Sequence, residues 1–214
     1  NDHGARSAVL FSSDAVTYDA LLAEASRIAH VLTHDFDLVP GNRVLIHASN
    51  TRLSMAVWWG VWRAGGVAVG TMPMLRPHEL AVILNKAQIS HAIVDAHRIA
   101  ELEQARPDAP TLKHIISTDE LGHRMAHAPA QYAAIATASD DPALIAFTSG
   151  TTGTPKGTMH FHRDVLAACD CWPRSVLRAS ADDMFTGSPP LAFTFGLGGL
   201  LLFRCAWVRR RCSS

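Results

Sequence analysis

Lysine is nearly missing from this chain: only Lys86, Lys113 and Lys156 occur among 19 basic residues. A lysine inside a motif is therefore unusual here. An excess of either charge is also missing, since the 19 basic residues face 19 acidic ones. That balance excludes the broad basic surface of a nucleic-acid binder. Four cysteines, Cys169, Cys171, Cys205 and Cys212, are too few for a disulfide scaffold in this length. Cys169 and Cys171 stand two apart, which fits neither a CxxC redox pair nor a usual zinc spacing. A reducing, cytoplasmic setting is expected. The longest uncharged apolar stretch, Leu191 to Phe203, is glycine-interrupted and short of the ~20 residues a membrane span needs. No charged start with an apolar core follows Asn1, so nothing signals secretion. A first residue other than Met reads as a processed product or a piece of a longer chain. No repeat of 20–50 residues is visible.

What is present suffices for a core. The chain has 214 residues, 48% hydrophobic and 18% charged, which argues for one domain or one and a fraction. Ala8–Phe11 reads as a strand. Thr17 to Asp35 reads as a helix, with Leu21, Leu22, Ala25, Ile28, Ala29 and Leu32 at three- and four-residue spacing. Pro40-Gly41 marks a turn. Arg43–Ala48 is a strand, and Thr51–Ala64 a helix stopped by Gly65-Gly66. Val67–Gly70 is a short buried strand, and Pro77 opens a helix to about Gln88. His91–Asp95, Leu112–Ser117 and Ala143–Phe147 are further strands, with a short helix between the first two. Arg163 to Leu177 is helical, broken or kinked by Pro173. Ala126 to Asp140 is a surface connection. Strands alternating with helices predict an α/β fold with a mostly parallel sheet.

The chemistry concentrates in Thr148–Gly157, TSGTTGTPKG, directly after the apolar strand. Ten residues hold three glycines, five hydroxyls and one lysine. Glycines let backbone N–H groups close on an anion, and hydroxyls donate to phosphate oxygens. Lys156 adds a mobile point charge and Pro155 stiffens the approach to it. The composition predicts a polyphosphate clamp. It is not a Walker A loop, because Pro155 precedes the lysine and Gly157 follows it.

This string resembles the phosphate-binding signature of the AMP-forming adenylating superfamily, which includes acyl- and aryl-CoA ligases. Thr17-Tyr18-Asp19-Ala20-Leu21 and Trp62-Arg63-Ala64-Gly65-Gly66-Val67-Ala68-Val69 are similar to two further family segments. The residues after the loop, the stretch GSPPLAFTFGLGGLLLF and Thr71-Met72-Pro73 most resemble benzoate- and 2-aminobenzoate-CoA ligases. The resemblance covers Ala8 to Phe203 and implies part of a large N-terminal adenylation domain. It implies ATP, Mg²⁺ and coenzyme A as cofactors and a carboxylic acid as substrate. Thr148, Ser149, Gly150, Thr151, Thr152, Gly153, Thr154, Lys156 and Gly157 would hold the phosphates, with Lys156 catalytic. His162 would stand near the nucleotide. Ala192, Phe193, Phe195 and Gly196 would line the acid pocket, the two phenylalanines on one side of an extended stretch.

Alternatives stay open: another acyl-CoA synthetase, a domain loading a carrier protein, or a catalytically dead nucleotide-binding module. Of the 12 histidines, the pairs His30/His34 and His123/His127 read as solvated helix residues, and no metal site is expected. Trp58, Trp59 and Trp62 read as packing. The resemblance further implies that the family's catalytic-lysine domain lies outside this chain, which would leave it inactive alone, with Leu200–Phe203 uncovered. From Arg204 the family pattern stops. One base dropped from a coding string for PLRVGAS yields RCAWVR, so the tail from Arg204 is expected to be frameshifted.

Overall fold

The computed structural model describes residues 4–11, 14–148, 155–180 and 182–203. The expected mostly parallel sheet flanked by helices is present, joined by elements the sequence did not announce: a second strand that makes a two-stranded antiparallel ribbon, a sixth sheet strand after the phosphate string, and a helix after the fourth sheet strand. The ribbon pairs β1 (Ser7–Phe11) with β2 (Asp14–Thr17). It feeds α1 (Tyr18–His34), whose first turn is capped by the Thr17 hydroxyl accepting from the Ala20 N–H. Leu21, Ala25, Ile28, Ala29 and Leu32 are buried as the spacing predicts, whereas Leu22 is half exposed.

The sheet is built from β3 (Arg43–His47), β4 (Val67–Gly70), β5 (His91–Val94), β6 (His114–Ser117), β7 (Pro142–Thr148) and β8 (Lys156–Phe161). Their order is β6-β5-β3-β4-β7-β8, parallel throughout except for the final β7–β8 pair. β4 and β5 are buried along their whole length, as strands covered on both faces must be.

Two cores follow. α1, α2 (Arg52–Arg63) and α5 (Thr118–Met125) bury Ile28, Leu32, Val57, Trp58 and Leu121 against one face. α3 (Pro77–Lys86) and α4 (Ile99–Ala105) bury Leu80, Leu84 and Leu102 against the other. α2 begins in a reciprocal cap between Thr51 and Ser54. It ends at Gly65, whose φ of 74° favours a residue without Cβ. Residues 126–140 contain neither helix nor strand and are largely exposed, as expected of a surface connection. α6 (His162–Trp172) runs straight into a wider turn at Pro173–Leu177.

One expectation is corrected. Leu201 and Leu202 are not uncovered: both are buried in the first core with Leu191 and Leu197, and Leu200 and Phe203 pack against it. The glycines before them let that short stretch coil inward instead of lying open.

Candidate functional site

In an open parallel sheet, ligands bind beyond the carboxyl ends of the strands, where successive crossovers leave toward opposite faces. Here that place lies between β3 and β4. From β3 the chain crosses through α2 on one face, and from β4 it returns through α3 on the other. The carboxyl ends are polar and buried. His47 closes β3 and its Nδ1 lies 2.9 Å from the Thr71 hydroxyl just beyond β4. Asp95, after β5, accepts from the Ser49 N–H at 2.9 Å and from its hydroxyl at 2.8 Å.

His47 is fully buried and its Nε2 has no hydrogen-bond partner among the described residues. Burial first, and the Arg98 charge second, lower its pKa to about 4, against opposing pulls from Asp95 and Glu101. His47 is thus neutral at neutral pH. Sequence reasoning missed it. The available signal was a histidine ending an otherwise apolar strand at the rim where such sheets bind ligands.

The expected acid-pocket segment packs against this end of the sheet. The Asn50 side-chain amide donates to the Pro189 carbonyl at 3.0 Å, and its oxygen accepts from the Leu191 N–H at 2.9 Å. A Cβ on Gly70 would stand 3.1 Å from the Ala192 Cα and 2.9 Å from the Trp58 ring. Residues 189–192 therefore lie directly on the end of β4. Gly196 is tightly enclosed, because a Cβ there would stand 2.2 Å from the Pro190 carbonyl oxygen. Phe193 and Phe195 are not core residues: they are 47% and 71% exposed. Nor do they share one side of an extended stretch. The backbone is extended at Phe193, but Thr194–Leu197 forms a helical turn, α7, closed by the Leu197 N–H on the Phe193 carbonyl at 2.8 Å. The packing expectation for the tryptophans holds at Trp58, which is buried, while Trp62 donates to the Ala143 carbonyl at 2.8 Å.

The glycine- and hydroxyl-rich string joins β7 to β8. β7 runs parallel to β4, with Ala68 opposite Leu144, so Thr148 leaves the sheet on the side where Gly70 and His47 end. The arms of the hairpin are in register, Thr148 opposite Lys156 and Phe147 opposite Gly157. Gly157 faces the Phe147 ring, where a Cβ would stand 3.1 Å away. Lys86 Nζ at the end of α3 donates to the Pro155 carbonyl at 2.9 Å and anchors the returning arm. Lys156 is exposed at the loop's exit. Ser149, Gly150, Thr151, Thr152, Gly153 and Thr154 lie outside the described residues, as does the tail from Arg204 with Cys205 and Cys212.

His162 lies at the other end of β8 from Lys156. It opens α6 at the far end of β8, six residues or about 20 Å of extended strand from Lys156. Its N–H donates to the Asp141 carbonyl at 3.1 Å, beside the amino end of β7. Burial lowers its pKa, with Asp141 opposing. The strand thus carries His162 to the rim opposite the Thr148–Lys156 pair. Among the described residues no three His, Cys, Asp or Glu side chains converge on one point, and no helix is long and apolar enough to cross a membrane.

Residues 1–206 match the family described as AMP-binding enzyme. The chain is 26% identical over 208 residues to the benzoate–CoA ligase of Thauera aromatica, covering 95% of this chain and 40% of that protein. It is 32% identical over 164 residues to the long-chain-fatty-acid–CoA ligase FadD13 of Mycobacterium tuberculosis, covering 75% of this chain and 32% of that one. The crystal structure of the anthranilate CoA ligase AuaEII in complex with anthranoyl-AMP superimposes with a TM-score of 0.90 at 24% identity, over 96% of this chain and 40% of that one. The chain therefore spans two fifths or less of the length of these relatives.

Proposed function

The chain belongs to the AMP-binding enzyme family, and from that premise we propose that it forms the phosphate- and acid-binding part of an AMP-forming acid–CoA ligase. The proposed substrate is an aryl carboxylate such as benzoate or 2-aminobenzoate. The observation that carries this reading is the string Thr148–Gly157. It connects two strands held in register, β7 leaving the sheet on the side where β4 ends at Gly70.

In the first half-reaction a carboxylate oxygen attacks the α-phosphorus of ATP. The bond to the bridging oxygen breaks and pyrophosphate leaves, giving acyl-AMP. Two anions must meet, so charge neutralisation and in-line placement dominate the barrier. The loop would grip the β- and γ-phosphates, and Lys156 would offset the charge gathering on the leaving pyrophosphate. Mg²⁺ enters with the triphosphate, held mainly by phosphate oxygens. Of Ala192, Phe193, Phe195 and Gly196, the two phenylalanines would offer the acid exposed rings suited to packing an aromatic face, with Ala192 adding little bulk and Gly196 letting the backbone close tightly behind them. In the second half-reaction the sulfur of coenzyme A attacks the acyl carbonyl and AMP leaves, the thiol proton passing to solvent.

The identity to FadD13 favours a second reading of the acid as a fatty one. Equilibrium binding of MgATP, followed by a panel of benzoate, 2-aminobenzoate and a long-chain fatty acid, tests both. We expect Lys156→Ala to weaken MgATP binding by roughly 10- to 100-fold, the worth of one charge-assisted contact. Unchanged MgATP binding in that variant would overturn the phosphate clamp. Preference for the fatty acid would replace the aryl assignment.

A further inference from the structure

We propose that Asn50 and Gly70 are positioning residues for the acid-side segment, one clamping its backbone and the other leaving the space in which it lies. The proposal rests on the reading of residues 192–196 as an acid wall. Two hydrogen bonds from one amide, at 3.0 and 2.9 Å, tie Pro189 and Leu191 to the turn between β3 and α2, across some 140 residues of sequence. The amide is matched in both senses, its N–H₂ on a carbonyl and its oxygen on an N–H. Pro189 and Pro190 have no N–H, so Leu191 offers the first backbone donor of this run. Asn50 captures that donor.

Gly70 works from below. Ala192 lies above it where any side chain would collide with the Ala192 Cα on one side and the buried Trp58 ring on the other. Fixed from side and floor, the backbone delivers Phe193 and Phe195 to the exterior while Leu191 and Leu197 anchor in the core. Neither Asn50 nor Gly70 touches the acid in this arrangement. Each acts through the segment, and fixing the wall in advance reduces the ordering that binding would otherwise require.

Amide hydrogen exchange of the whole chain tests the clamp without any need for turnover. The Leu191 amide is expected to be protected in the parent chain and in Asn50→Asp, which keeps an acceptor, and unprotected in Asn50→Ala. The intrinsic fluorescence of 2-aminobenzoate reads the consequence. Asn50→Ala should weaken its binding by roughly tenfold, the worth of one to two hydrogen bonds, and Gly70→Ala should also weaken it by displacing Ala192, while MgATP binding stays within about twofold. Asn50 is exposed, so its variants should fold even if Gly70→Ala does not. Equal Leu191 exchange in parent and Asn50→Ala overturns the clamp. Lost protection with no 2-aminobenzoate bound by the parent chain upholds the clamp and overturns the assignment of the segment to an aryl acid.

Discussion

The strands β3 to β6 with their helices and the stretch from β7 to Phe203 are built on different terms. In the first region Leu45, Leu80, Leu84, Ile93, Leu102 and Ile116 are completely enclosed, and both sheet faces are covered. In the second, Met159, Leu166, Val176, Met184 and Phe195 stand more than half exposed, and α6 buries only Cys169. The first region is a scaffold whose apolar pattern and burial coincide. The second carries the phosphate string and the acid-side segment, and it mixes buried anchors such as Leu144, Leu191, Leu197 and Leu201 with these exposed apolar side chains. The contrast separates where stability resides from where the chemistry is proposed to occur, and substitutions in the two regions should differ accordingly.

The largest effect belongs to Trp58. It is buried under Gly70, beside Trp62 at 5.6 Å between ring centres, and joins α2 to the end of β4. Trp58→Ala is expected to lower unfolding stability by about 3–5 kcal/mol, as large cavities do, measured by denaturant titration. A loss below about 1 kcal/mol would show that the scaffold is looser than its burial implies.

The same contrast explains what could be read in the sequence. β3, α2 and β4 are legible because apolar runs of the right period are bounded by a cap residue and by Gly65-Gly66, and burial there follows period. β2 escapes, since Asp14–Thr17 is short and buries only Val16. α5 escapes because TDELGHRM is polar and needs only Leu121 and Met125 to dock. β8 lies at the sheet edge with its first four residues exposed, so no alternation announces it. The helical turn after Phe193 is hidden by glycines, whose conformation neighbours decide. The loop motif was legible from composition. The Asn50 clamp was not, because nothing local links Asn50 to Leu191.

The second prediction asks whether the scaffold stays sealed as pH falls. His47 is buried as the neutral imidazole, with a pKa lowered from 6.5 to about 4. The folded state therefore binds this proton less readily than the unfolded chain. The contribution is fully present above about pH 6.5 and is lost as pH drops toward about 4, to a total on the order of 3 kcal/mol. Burial lowers His91 in the same direction, so a residual slope should remain without His47. Denaturant titrations between pH 4 and 7.5 should show stability rising with pH, and a shallower rise in His47→Gln. An identical slope in that variant would mean that His47 is open to water and that the rim is less sealed than its contacts indicate.

The smallest effect probes the other side of the contrast. Leu166 lies on α6, 54% exposed, on a helix with one buried residue. Truncating it removes little contact with the core, so Leu166→Ala should change stability by no more than about 0.5 kcal/mol. Alanine also has the higher helix propensity, which offsets part of any loss. Paired with Trp58→Ala in the same titration, the two substitutions should differ by several-fold in effect. A loss above about 1 kcal/mol at Leu166 would break the comparison, since an exposed side chain can cost that much only if something packs against it in solution. The concentration dependence of that loss then separates self-association from an intramolecular contact: a second copy covering α6 makes the midpoint rise with protein concentration, whereas cover from within the chain leaves it fixed.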